Sequence, residues 1–73
     1  MNRQRLIGSL ECEAGMLSDR ITGFEFVVES PDFIDTEEPE RTFMIRQLRA
    51  MKDYRKILRL RISHLKKHGE VED

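Results

Sequence analysis

Two arginines are the clearest candidates for binding an anion. Arg20 is the only basic residue between Arg5 and Arg41, and Thr22 follows it two positions later. Arg20 either pairs with a carboxylate nearby, or contacts a phosphate with the Thr22 hydroxyl adding a hydrogen bond. Arg61 likewise either forms an ion pair or contacts a phosphate. If it points into a symmetric interface, like charges converge there and a bound anion would stabilise them.

Catalytic and metal-binding arrangements are not recognisable in the chain. His64 and His68 are spaced to share a helix face and could in principle bind a metal. Surface histidines that offset the negative end of a helix dipole are the simpler interpretation. Cys12 is interpreted as a small packing residue. We therefore expect a protein that is not an enzyme and that needs no metal and no cofactor.

Three glycines interrupt the first helical segment, at Gly8, Gly15 and Gly23. Each costs a helix about 1 kcal/mol relative to alanine. Their spacings of seven and eight place them on one face, where a neighbour could approach the backbone closely. That neighbour is either a second helix across an oligomer interface or a flat ligand, and both are possible if a ligand lies between protomers.

The pattern of apolar residues predicts one long helix over about residues 2–29. Apolar residues alternate at steps of three and four, which is typical of a helix that packs along its whole length. Asn2 is a suitable N-cap, and Pro31 ends the segment. The repeating positions are Ile7, Leu10, Ala14, Leu17, Ile21, Phe24 and Val28.

A second long helix is predicted over about residues 37–68, after a connector at 30–36. Thr36 is the expected cap, with Pro39 in the first turn, and Phe33 and Ile34 are expected to tuck under the connector end of the core. Residues 69–73 are expected to be a disordered tail. One stripe on this helix consists of Met44, Leu48, Met51, Arg55, Leu58, Ile62 and Leu65. A second, mixed stripe beside it consists of Gln47, Ala50, Tyr54, Ile57, Arg61 and His64.

Size and charge indicate how these helices are arranged. Residues 1–40 carry a net charge of −7 and residues 41–73 a net charge of +6, so the two halves attract when they fold together. The 73 residues form a single domain, too small for a large core of its own. We expect an all-α fold: an antiparallel two-helix hairpin that assembles into a symmetric helical oligomer. No apolar run is long enough to span a membrane.

The second half of the chain resembles the hairpin domain of phage anti-CBASS sponge proteins, which also occurs in some anti-Thoeris sponges. The first half matches more loosely, and the likeness covers about residues 10–65. The matching residues after the connector are Glu40-Arg41, Arg46-Gln47-Leu48, Ala50-Met51, Tyr54, Ile57-Leu58 and Arg61-Ile62. Those before it are Leu17, Arg20, Ile21, Phe24, Ser30 and Phe33.

The resemblance implies both a function and a set of site residues. Members of the family form hexamers of helical hairpins that sequester cyclic dinucleotides, such as cyclic GMP–AMP, and cyclic trinucleotides at separate sites, without cleaving them. By this likeness Arg20 and Thr22 would hold a cyclic dinucleotide, whereas Arg61 would hold a cyclic trinucleotide. Tyr54, in the same motif as Arg61, is a further ligand-binding candidate. The family has a base-stacking aromatic where this chain has Arg5, which could stack through its guanidinium plane. The cytoplasm of an infected bacterium is the implied location.

Two alternatives remain open from the sequence. One is a small nucleic-acid-binding helical dimer that uses the basic face of residues 41–67, although acidic residues dominate the other helix and no recognition motif is present. The other is a structural bundle or adaptor in which the basic stripe pairs only with the acidic half.

Overall fold

Two long helices and a short connector make up the structure. A computed structural model describes residues 2–68, with the side chain of His68 left out. Helix α1 spans Arg3–Val28, a 3₁₀ helix spans Pro31–Asp35, and helix α2 spans Glu40–His68. No strand occurs within these residues, which confirms the all-helical class. The expected tail at 69–73 lies outside the described residues.

Side-chain oxygens cap the first helix and the connector. The Asn2 side-chain oxygen accepts hydrogen bonds from the backbone N–H groups of Gln4 and Arg5, at 2.8 and 3.3 Å. These donors lack carbonyl partners inside the helix, so Asn2 is the N-cap that the sequence predicts. The Ser30 hydroxyl accepts from the N–H of Asp32 at 3.3 Å and starts the 3₁₀ helix in the same way.

Helix α2 begins at Glu40, three residues later than predicted, and Thr36 does not cap it. The N–H of Thr36 donates instead to the Phe33 carbonyl at 3.0 Å and closes the 3₁₀ helix. The Glu38 carboxylate takes over the capping role, since it accepts from the backbone N–H and the hydroxyl of Thr42, each at 2.9 Å. The Glu38–Pro39 peptide bond is cis.

The buried core consists of one line of side chains between the helices. Its members are Leu10, Leu17, Ile21 and Leu58. The other residues of the apolar repeat predicted for α1 and of the first stripe predicted for α2 are only half-buried. Within this seam Arg55 reaches the Ser18 hydroxyl at 3.4 Å, so the polar interruption of the α2 stripe is accommodated by a hydrogen bond.

The connector departs from the prediction that both Phe33 and Ile34 cover the core. Phe33 is half-buried, but the side chain of Ile34 is 73% exposed. A 3₁₀ helix has three residues per turn, so consecutive side chains point about 120° apart and cannot both face the seam. The Ile34 backbone is held instead, because its carbonyl accepts from the Arg41 guanidinium at 3.0 Å.

Ion pairs between the helices join the acidic half of the chain to the basic half. Glu11 pairs with Lys66 at 2.8 Å, and Glu25 pairs with Lys52 at 2.7 Å. Early residues of α1 therefore meet late residues of α2. Both pairs are solvent-accessible and contribute little stability one by one. They favour one alignment of the helices along a rod of 56 × 17 × 16 Å. Neither helix, over residues 2–68, is long and apolar enough to cross a membrane.

We predict that Leu58→Ala lowers the free energy of unfolding by about 2–5 kcal/mol, because it leaves a cavity in the centre of the seam. Leu58 is 0% exposed. Lys56→Ala, at an exposed charged position of the same helix, is the control, with an expected change within about 0.5 kcal/mol. Urea unfolding followed by circular dichroism measures both. A Leu58→Ala loss no larger than the Lys56→Ala loss would contradict this core.

The start of α2 gives a prediction about pH. The hydroxyl and N–H of Thr42, and then the charge of Arg41, hold the pKa of Glu38 below its ordinary value. Since the folded pKa is the lower one, this carboxylate stabilises the fold above the unfolded-state pKa, and the contribution is lost as pH falls through the folded pKa. In Thr42→Val we expect the Glu38 pKa to rise, whereas Thr42→Ser keeps it low. The pKa of Glu38 is measured by following the carboxyl NMR signals as pH is varied. An unchanged pKa of Glu38 in Thr42→Val would contradict the role of Thr42 in this cap.

Candidate ligand-binding groove

A groove runs along one flank of the helix pair, where α1 and the second stripe of α2 diverge. Two adjoining cavities of about 410 and 490 Å³ form it, and they share Leu17, Arg20 and Tyr54. We call it the Arg20–Tyr54 groove. Its remaining lining residues are Ser9, Cys12, Glu13 and Met16 in the first cavity, and Gly23, Phe24, Gln47 and Met51 in the second.

The core seam positions the two residues that give the groove its name. Arg20 directly precedes the buried Ile21, so it emerges beside the seam rather than within it. Tyr54 lies one helical turn before the fully buried Leu58, on the stripe next to the core line. Burial of these two apolar side chains therefore fixes the helix alignment that brings the arginine and the aromatic ring to one groove.

Arg20 is an unpaired cation in this groove. Two acidic residues of α1 have other partners: Glu25 forms an ion pair with Lys52, and Glu13 accepts a hydrogen bond from the Tyr54 hydroxyl. Within residues 2–68, no ion pair or side-chain hydrogen bond involves Arg20. A guanidinium carries five donors in a planar fork, which suits it to a phosphate or carboxylate. The arginine is available to an anion without the prior loss of an internal partner.

Tyr54 supplies a flat surface at the junction of the two cavities. Its side chain is 46% exposed, and the hydroxyl is held by Glu13 from the other helix. An aromatic ring that is fixed at its polar end can stack against a planar group without losing much conformational freedom. The groove thus combines a cation, an aromatic face and the apolar side chains of Leu17 and Met51.

The glycines have no neighbour within the chain that requires them. A methyl group added at Gly8, Gly15 or Gly23 would meet no atom within 4 Å. Gly23 lines the groove beside Arg20. The small-residue face is therefore open in a single chain.

The structure brings only part of the predicted site together. Arg5, Thr22 and Arg61 are exposed, but none of them lines either cavity. Arg5 lies about 22 Å from Arg20 along the axis of α1 at roughly 1.5 Å per residue. Arg61 shares the stripe of Tyr54 and lies about 10 Å further along α2 on the same measure. One chain therefore unites Arg20 with Tyr54 alone.

Several lining residues were not identified from the sequence as members of a site. They include Met16, Gln47 and Glu13. A signal existed for Met16, because it falls four residues after Cys12 and four before Arg20, on one helix face. In the described part of the chain, no three His, Cys, Asp or Glu side chains come together as potential metal ligands.

The chain is a small all-helical protein with an exposed arginine beside an aromatic ring, in a groove between its two helices. The chain belongs to the Sequestin family, whose model matches residues 4–64. This confirms the family resemblance expected from the sequence, and the family name denotes sequestration rather than catalysis. No curated protein and no solved structure matches the chain significantly.

Proposed function

We propose that this protein is a phage anti-defence sponge: it sequesters cyclic di- and trinucleotide second messengers without cleaving them and so prevents activation of CBASS effectors. Membership of the Sequestin family supports the sequestering role. The observation that carries the proposal is the unpaired guanidinium of Arg20 beside the ring of Tyr54. We place the protein in the cytoplasm of the infected bacterium, where these signals act.

The chemistry of the ligand fits this groove. A cyclic dinucleotide presents phosphodiester anions and flat bases within a compact ring. Arg20 would bind a phosphate through paired N–H donors, and Tyr54 would stack on a base. A combined volume near that of typical small-ligand sites, roughly 300–1,000 Å³, leaves room for such a ligand. Thr22 and Arg5 would join the site from a second copy, since neither reaches the groove within its own chain.

We propose further that the repeating unit is an antiparallel hairpin and that several copies assemble. The sponge proteins that the sequence resembles form hexamers of such hairpins. The exposed apolar side chains support this assembly, because a four-residue core leaves most of the apolar surface uncovered. The largest exposed apolar side chains are Met16, Phe26, Val27, Ile34, Phe43, Ile45, Tyr54, Ile57 and Leu60. The open glycine face of α1 suits close approach by a neighbouring helix.

Assembly would also complete a site around Arg61. This arginine is exposed on the second stripe of α2, next to the exposed side chain of Ile57. Symmetric copies would bring several Arg61 guanidinium groups to one place, and their mutual repulsion would be relieved by a ligand with three phosphates. A cyclic trinucleotide has that charge and symmetry.

We predict that Arg20→Ala weakens binding of cyclic GMP–AMP at least about tenfold, because a charge-assisted phosphate contact is lost. Isothermal titration calorimetry measures this change. Arg49→Ala is the matched control, since Arg49 is also exposed but lies outside the groove.

Cys12, the only cysteine, gives a second readout: it is an exposed free thiol in the groove, so bound ligand should slow its alkylation. Unchanged affinity in Arg20→Ala, with Cys12 unprotected in the wild type, would refute this site.

For the second site we predict that Arg61→Ala abolishes binding of a cyclic trinucleotide and leaves assembly intact. Light scattering should give the same mass for the variant and the wild type, well above the 8.7 kDa of one chain. Arg46→Ala serves as the control on the same helix. If Arg61→Ala binds the trinucleotide with wild-type affinity, Arg61 is not part of a ligand site. A wild-type mass equal to that of one chain would contradict the assembly.

A further inference from the structure

A second groove lies on the opposite flank of the helix pair and shares no residue with the Arg20–Tyr54 groove. We call it the Arg59–Lys67 groove. Its volume is about 610 Å³, larger than either cavity on the other flank. The lining residues are Glu11 and Ala14 from α1, and Arg59, Ile62, Ser63, Lys66 and Lys67 from α2. No part of the proposed function uses this groove.

The charge of this groove is strongly positive. Lys66 is neutralised by Glu11 at 2.8 Å, which is the only carboxylate among the lining residues. Arg59 and Lys67 have no hydrogen-bond or ion-pair partner among residues 2–68. The groove therefore carries two cationic side chains in excess, and both are exposed to an incoming anion.

Stabilisation of the helix end accounts for only part of this charge. Lysines in the last turn of α2 offset the negative end of the helix dipole, and Lys66 and Lys67 lie in that turn. The effect decays within one turn. Arg59 lies nine residues before the last residue of α2, so the dipole gives no reason for a cation there.

The lining also provides what a phosphorylated organic molecule needs besides charge. Arg59, Ser63 and Lys66 recur at steps of four and three, so they share one face of α2. The Ser63 hydroxyl can donate to a phosphate oxygen that a guanidinium also binds. Ala14 and Ile62 are half-buried and pack against the core, which gives the groove an apolar floor for a base or sugar.

We propose that the Arg59–Lys67 groove is a further ligand site, which binds the phosphate of a nucleotide-sized molecule. Arg59 and Lys67 bind the phosphate, Ser63 donates a hydrogen bond to it, and the organic part lies on Ala14 and Ile62. The site is complete within one chain. It is independent of Arg20 and Arg61, so it exists whether or not those residues bind cyclic nucleotides.

The test titrates the full-length protein with adenosine 5′-monophosphate and follows backbone amide NMR signals. We expect shifts at the groove residues, no shifts with adenosine, and weaker ones with inorganic phosphate. The double variant Arg59→Gln/Lys67→Gln should bind at least about tenfold more weakly. Arg46→Gln/Arg49→Gln, which removes the same charge elsewhere on α2, should bind as the wild type does.

Three results would overturn this proposal. The first is the absence of shifts at the groove residues in the wild type. The second is an equal loss in both double variants, which would show unspecific attraction of the anion to a basic helix. The third is tighter binding of duplex DNA with a steep salt dependence, which would assign the basic surface to nucleic acid. Because Arg59 and Lys67 are exposed, the variants should fold, and circular dichroism checks this.

Discussion

The shortage of buried apolar surface governs this molecule. Two helices in contact can cover each other along one line only, and here that line holds four buried side chains. Everything outside it is solvent-accessible in the single chain, including Phe26, which is 79% exposed. The same narrowness that limits stability leaves a long, accessible flank on each side of the seam. The Arg20–Tyr54 groove lies along one of these flanks, and the Arg59–Lys67 groove lies along the other.

Charge segregation along the chain favours the helix alignment that the buried seam fixes, and it leaves some basic residues without a carboxylate partner. The acidic half supplies α1 and the connector, and the basic half supplies most of α2. Where carboxylates and lysines face each other they form ion pairs, as at Glu25–Lys52. Basic residues that fall outside this pairing, such as Arg20 and Arg59, emerge in grooves. The cations available to the proposed ligands are thus those that the helices leave without a partner.

Sequence reasoning predicted the regular parts of the fold and missed the irregular ones. The apolar repeats gave both helices, and Asn2 was identified as a cap, because these signals are local in sequence. The start of α2 was placed too early, since the capping carboxylate of Glu38 acts through Thr42 while Thr36 closes a 3₁₀ helix. The exposure of Ile34 follows from that same short helix.

The site was less predictable, for a different reason. Arg20 and Tyr54 are separated by 34 positions, so their meeting depends on the alignment of two helices that no local pattern specifies. The resemblance identified both residues but not their joint groove. Thr22, Arg5 and Arg61 belong to the same set of sequence candidates, yet their contribution depends on contacts between chains, which the properties of one chain do not determine.

The hydrogen bond between Tyr54 and Glu13 has a kinetic consequence. The Glu13 carboxylate has this partner, whereas Arg20 has no ion-pair or hydrogen-bond partner among residues 2–68, so no internal contact of the guanidinium has to break before an anion enters the groove. A ligand of this groove would therefore associate without a rearrangement of that side chain. Under the proposed sponge function, speed of capture would matter as much as equilibrium affinity.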